Sequence, residues 1–300
     1  MTINHLNQTP TGIRYFPDSD DIAHKLNEQH IDDIVEIFNT PLQGSYNWDY
    51  SSIDGRIRKL YRLGKELNWN QETDLNWSQN YSKENYPSDP SFNPFAGYAP
   101  FENLSEAEKL RFAWHYQSWT LSQFLHGEQG ALLVASQLVS CAPTFDAKLY
   151  ASSQTFDEAR HVETFNRYLQ EKVGFMYEIT PALKLLVDKI LADSRWDLKF
   201  IGMQIVIEGL ALAAFNTMRM TCLDPLLKDL IYLVTRDEAR HVHDVRVQVA
   251  HRQRGARAHA RLRDEIAVLR ELLHAHRVLV IGVLVVRLRV RVEEVDIPLA

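Results

Sequence analysis

The hexapeptide Asp-Glu-Ala-Arg-His-Val occurs twice in this chain, at residues 157–162 and 237–242, 80 positions apart. Both copies lie in stretches with helical spacing of apolar residues. Within each copy the order is Glu-x-x-His: Glu158 with His161, and Glu238 with His241. On a helix, residues three apart share a face, so a carboxylate and an imidazole can reach one cation. A single Glu-x-x-His is more often a solvated pair. Two copies embedded in the same local sequence need a common explanation.

The spacing of the predicted helices supplies one. Ser105 with Glu108 reads as a capping box that opens a long helix, which Pro143 stops near Cys141. A second helix is expected from about Phe145 to Val173, ended by Gly174. Thr180-Pro181 starts a third, with a break near Asp193 to Trp196 and an end near Cys222. Asp224-Pro225 starts the fourth. Helices of this length joined by short turns indicate an all-α bundle of four helices. Glu128 lies 15 residues before Pro143 and Glu158 lies 15 after it. Glu208 and Glu238 flank Leu223 in the same way. At about 1.5 Å of rise per residue, each hairpin brings its two glutamates to the same height.

Glu208 is set among Ile205, Val206, Ile207, Leu210 and Leu212. A carboxylate on so apolar a helix is costly to bury without a partner. One such Glu is most simply bonded to a polar neighbour; two at matched height, facing two Glu-x-x-His pairs, point to cations. Four carboxylates balance two divalent ions. Hard oxygen ligands with histidine suit iron or manganese, and the absence of thiolates argues against structural zinc.

The order Glu, Glu-x-x-His, Glu, Glu-x-x-His over residues 105–243 resembles the ferritin-like di-iron carboxylate superfamily. The resemblance implies a ferritin-like four-helix bundle that holds two Fe ions, with Mn as the alternative at one or both positions. Glu128, Glu158 and His161 would hold one ion; Glu208, Glu238 and His241 would hold the other. Glu158 and Glu238 would bridge. Asp157, Arg160, Asp237 and Arg240 complete the Asp-Glu-x-Arg-His form seen in bacterial multicomponent monooxygenase hydroxylases, where the Asp orients a ligand His and the Arg pairs with it. The implied activity is O2 activation for hydroxylation, N-oxygenation or desaturation of a small organic substrate. A ferredoxin or reductase would supply electrons, and assembly as a homodimer is compatible. The match is incomplete. Phe165 stands where ribonucleotide-reductase small subunits carry a radical Tyr, Val234 where para-aminobenzoate N-oxygenases carry an extra His, and Leu212 where multicomponent hydroxylases tend to have Thr. A ferroxidase or iron-handling protein, and a non-catalytic helical protein, remain as alternatives.

Other candidates have plainer readings. Ala131, Ala135, Ala211, Phe165, Phe215 and Leu212 either line a pocket or form ordinary core. The aromatic side chains Trp114, Tyr116, Trp119 and Phe124 allow the same two readings. His115, His126 and His243 are expected to be non-ligands. Cys141 and Cys222 are expected to be buried thiols.

Residues 1–104 read as an N-terminal extension of short helices and loops, with helical spacing in Ile31–Thr40 and Ile53–Trp69. The net charge of −6 does not suggest nucleic acid. Two cysteines fit a reducing compartment. The opening residues lack a signal-peptide pattern, and the longest uninterrupted apolar stretch, Val278–Val286, is too short to span a bilayer. The expectation is a cytoplasmic protein. Residues 244–300 form an anomalous segment without Lys, Asn, Ser, Thr, Phe, Tyr or Trp. A frame shift in a GC-rich gene and a divergent appended segment both account for it.

Overall fold

A computed structural model describes residues 37–51 and 55–252, with backbone alone at 205 and 242–252. The helix expected at 31–40 lies partly outside the described residues, and 37–40 are not helical. The origin of the 244–300 segment also lies outside them, apart from the backbone to 252, which continues the last helix.

Helix α1 spans Gly55–Glu66, and the single turns α2 and α3 span Gln71–Asp74 and Ala99–Glu102. Four long elements follow. Helix α4 runs Glu106–Cys141 from the expected capping box, with both reciprocal hydrogen bonds present. Helix α5 runs Phe145–Tyr168 from a Thr144 cap. It widens into a π-helical turn, Leu169–Val173, and stops at Gly174, whose φ of 87° favours glycine. The third segment is broken as expected. Helix α6, Pro181–Ala192, is capped by Thr180; then come α7, Trp196–Ile201, a π-helical stretch Gly202–Ile207, and α8, Glu208–Thr221. Helix α9 runs Pro225–Arg252. No β-strand occurs among the described residues; Ser88 and Cys222 form one isolated bridge.

The packing order explains the shape. Helix α4 lies on α5, α5 on α9, and α9 on α8. Between α8 and α4 the ring is open, and a cleft results. The two hairpins, α4–α5 and α8–α9, share an apolar core that includes Leu121, Phe165, Phe215, Leu227 and Val234. Cys141 and Cys222 are buried at the hairpin ends, as expected. Helix α1 packs on α5 and α9, so the N-terminal region is part of the bundle's wall. The loop before α6 is latched by buried polar side chains of α4. Ser118 donates to the Phe175 carbonyl, and Gln123 donates to the Glu178 carbonyl and accepts from the Thr180 amide.

The run Trp196–Thr221 is long and apolar enough to cross a membrane, with mean hydropathy 1.7. Counting only unbroken apolar stretches overlooks it. In the fold this run is interrupted by the π-helical stretch, packs against α9 and carries the buried Glu208. A core helix of a bundle has the same composition.

Asp224 joins two of these elements. Its Oδ1 accepts from the Leu226 and Leu227 amides at 2.9 and 3.4 Å, and its Oδ2 accepts from the buried Tyr168 hydroxyl at 2.5 Å. Burial and this carboxylate push the Tyr168 hydroxyl well above its ordinary pKa, so it remains a donor. Asp224→Ala removes a cap and orphans the hydroxyl. The expected loss is about 2–4 kcal/mol in urea unfolding, with Tyr168→Phe alone costing less.

Candidate metal centre

Each Asp-Glu-x-Arg-His copy puts two three-apart pairs on its helix, rotated from one another by one residue. The Glu/His pairs of α5 and α9 turn toward the bundle axis, and the Asp/Arg pairs meet each other behind them. Glu128, Glu158, His161, Glu208, Glu238 and His241 are all buried. They form two groups: Glu128, Glu158, His161 and Glu238, and then Glu158, Glu208, Glu238 and His241. In each group the ligand atoms lie within 4.8 Å of one another. Glu158 and Glu238 belong to both, which is the geometry of a bridging carboxylate. The structure thus brings all six expected side chains together.

Both histidines turn Nδ1 to the carboxylates. His161 Nδ1 lies 3.2 Å from Glu128, 3.3 Å from Glu158 and 3.1 Å from Glu238. His241 Nδ1 lies 3.2 Å from both Glu158 and Glu238. The Nε2 atoms face the aspartates in a crossed arrangement. His161 meets Asp237 at 3.2 Å and His241 meets Asp157 at 3.4 Å, so each motif's aspartate holds the other motif's histidine. Arg160 donates to Asp157 at 2.6 Å and to Asp237 at 2.7 Å. Arg240 contacts Asp157 at 3.0 Å and Asp237 at 2.7 Å. The four form a closed ring of alternating charge that ties α5 to α9.

Three further residues were not expected from sequence. Trp69 Nε1 donates to Asp237 Oδ2 at 2.6 Å, and the Arg160 guanidinium lies 4.7 Å over the Trp69 ring. Asn68 Oδ1 accepts from Arg160 at 2.5 Å. Gln154 Nε2 donates to Glu208 at 2.8 Å and Glu158 at 3.2 Å. Gln154 falls one turn before Glu158 and shares its face, which is the signal that was available. Asn68 and Trp69 had no local signal.

The electrostatics show what four clustered carboxylates cost. Burial, and then the charge of Glu238, pushes Glu128 well above the usual carboxylate range. Burial raises Glu208 well above the usual carboxylate range; His241 opposes the shift, and repulsion from Glu238, Glu158 and Glu128 adds to it. Glu158 is held low despite burial, because both imidazoles face it. Burial opposes a charge on His161 and His241, yet the surrounding carboxylates raise both well above the ordinary imidazole value. Cations held among these groups would take the place of protons.

The residues present fit such ions. Glu158 Oε2, Glu208 Oε2 and Glu238 Oε1 are buried and accept no hydrogen bond. Orphaned buried oxygens are uncommon in folded proteins, and three of those among the described residues belong to the two groups. Four carboxylates with an imidazole at each end form a hard donor set suited to iron or manganese.

The cleft between α4 and α8 reaches the cluster. Its volume is about 540 Å³, and Glu128, Glu208 and Glu238 form part of its wall. Ala131, Ala211, Phe124, Phe215, Tyr116 and Trp119 also line it. Phe165 and Ala135 are core, and Trp114 is core with its Nε1 directed at the Lys83 and Asn85 carbonyls. A Cβ placed on Gly127, beside Glu128, meets nothing within 4 Å. His115 bonds the Tyr177 hydroxyl and His126 the Tyr177 carbonyl, so neither joins the cluster. The His243 side chain lies outside the described residues.

Solved structures with related backbones include an R2-like ligand-binding oxidase from Sulfolobus acidocaldarius, 20% identical over 66% of this chain and 71% of that one, with a TM-score of 0.44. Another is an R2-like ligand-binding oxidase with an aerobically reconstituted Mn/Fe cofactor, 19% identical over 66% and 70%, with a TM-score of 0.42. At this identity and degree of superposition the likeness carries no inference about chemistry. No family model matches the sequence, and no curated protein matches it.

Arg160 neutralises two buried aspartates at once. Arg160→Leu leaves both with only partial compensation. The expected cost is about 3–5 kcal/mol in urea unfolding, the usual result of removing one partner from a buried ion pair.

Proposed function

We propose that this protein is an O2-activating di-metal oxygenase or oxidase acting on a small organic substrate. The observation that carries the reading is the shared wall: the carboxylates that would hold two cations also form the inner end of an apolar cleft. A cluster built only to bind metal needs no such opening. Two Fe ions are the expected cofactor, with Mn at one or both positions as the alternative.

Glu128, Glu158 and His161 would hold one ion, and Glu208, Glu238 and His241 the other, with Glu158 and Glu238 between them. Such a pair supplies O2 reduction coupled to oxidation of a bound molecule. The protein does the rest. Asp157 and Asp237 keep a proton on the Nε2 atoms, which leaves Nδ1 of each histidine as the donor. Phe124 and Phe215, 4.6 Å apart between ring centres, exclude water beside the cluster. In a hydroxylation, one oxygen atom enters the substrate and the other leaves as water. Two electrons are then required from outside, and a ferredoxin or reductase fits that role. Desaturation and N-oxygenation are compatible with the same site.

Anaerobic loading with Fe(II), followed by O2 and read by optical and Mössbauer spectra, tests the reading. The expectation is about two irons per chain, oxidised together, with Glu208→Ala losing at least one. Iron taken up by the thousand per assembly would instead mean storage, the ferroxidase alternative. A folded chain that binds no iron would mean a non-catalytic helical protein.

Gly127 offers a separate check on the cleft. Gly127→Phe places a ring in the open space beside Glu128. It is expected to leave metal content unchanged while reducing the fluorescence of 8-anilinonaphthalene-1-sulfonate bound to the protein. Unchanged dye fluorescence would contradict a cleft that takes apolar molecules there.

A further inference from the structure

The two halves of the centre share the duplicated motif and differ one helical turn before it. Four residues before Glu158, the repeat places Gln154; four before Glu238, it places Val234. Both side chains are fully buried. Gln154 Nε2 donates to Oε1 of Glu208 at 2.8 Å and to Oε1 of Glu158 at 3.2 Å. The oxygens it does not touch, Glu208 Oε2 and Glu158 Oε2, are the ones that accept no hydrogen bond. Val234 has no polar atom to offer in return. Distances to the imidazoles differ accordingly. Glu128 lies 3.2 Å from His161 Nδ1, whereas Glu208 lies 3.9 Å from His241 Nδ1.

We infer that Gln154 is a positioning residue that makes the two cation positions unequal, so that the position formed with Glu208 and His241 fills before the one formed with Glu128 and His161. This rests on the reading of the cluster as a two-cation site. By pinning one oxygen of each carboxylate, the amide removes rotamer freedom from Glu208 and Glu158 before any ion arrives. Each then presents its other oxygen in a fixed direction, and ordering costs less on binding. Glu128 has no comparable amide; it meets His161 Nδ1 at 3.2 Å, and because that nitrogen would itself turn to an ion, the carboxylate would have to be ordered again on binding. The amide also draws some electron density from the carboxylates. It does so at the oxygens turned away from the orphaned pair, which limits the loss of donor strength.

Anaerobic titration with Mn(II), followed by electron paramagnetic resonance, reads the filling order directly. In the wild type, the first equivalent is expected to give the signal of an isolated ion, and the signal of a coupled pair is expected only with the second. Gln154→Leu keeps the volume and removes the donor. It is expected to weaken the first step by about 10- to 100-fold, the usual effect of losing a partner behind a ligand, and to bring coupled pairs into the first equivalent. Gln154→Met provides a second variant of similar shape, and far-ultraviolet circular dichroism confirms that each is folded. A mere packing role for Gln154 would lower thermal stability without altering the order of filling. Coupled pairs from the outset in the wild type, or an unchanged order in both folded variants, would overturn the inference while leaving the two-cation reading intact. A wild type that binds no Mn(II) or Fe(II) would overturn that reading as well.

Discussion

Four glutamates converge at the buried centre of this bundle, and their mutual repulsion is the constraint to which the surrounding structure answers. Without compensation, four buried negative charges within a few ångströms would unfold a protein of ordinary stability. The chain compensates in layers. His161 and His241 sit among the carboxylates, which favour a charge on both imidazoles, and Gln154 donates to two of the carboxylates. Behind the histidines, the Asp157–Arg160–Asp237–Arg240 ring closes between α5 and α9. The N-terminal region then covers the ring with Trp69 and Asn68. Bridging cations would be the compensation that uses the oxygens left without a hydrogen bond.

The crossed aspartates explain why Asp, Arg and His recur together with Glu in both copies. Asp237 holds His161 and Asp157 holds His241, while each arginine touches both aspartates. Changing one copy alone would disturb the ligand of the other. The same wiring couples the two hairpins mechanically, because the histidine that serves one metal position is oriented from the helix that supplies the other. An opening between α8 and α4 can therefore exist without loosening the centre: the opposite side of the bundle is locked.

Much of this was legible in the sequence, for physical reasons that can be named. Ser105, Thr144, Thr180 and Asp224 cap helices through their own side chains, so helix starts are locally encoded. Equal travel from each turn set Glu128 against Glu158 and Glu208 against Glu238, because rise per residue is fixed. The unforeseen features depend on tertiary arrangement. The π-helical stretch Gly202–Ile207 changes register just before Glu208, and no residue type there announces it. The exchange of aspartates between motifs requires knowing how α5 faces α9. Trp69 enters from about 90 residues away from the first motif along the chain. The cleft lies between α4 and α8 beside the Phe124–Phe215 contact, and periodicity does not record such a gap. The aromatic stretch on α4 illustrates the mixture: Tyr116, Trp119 and Phe124 face the cleft, and Trp114 points into the fold.

The central claim is that six side chains from two hairpins hold a pair of cations. Its most direct test is a crystal structure of protein soaked anaerobically with Mn(II), with data collected at the manganese absorption edge. The account predicts two anomalous peaks about 3.5–4 Å apart, both between Glu158 and Glu238, one beside His161 and the other beside His241. Peaks only at the protein surface, or a cluster that remains without metal at saturating Mn(II), would contradict it.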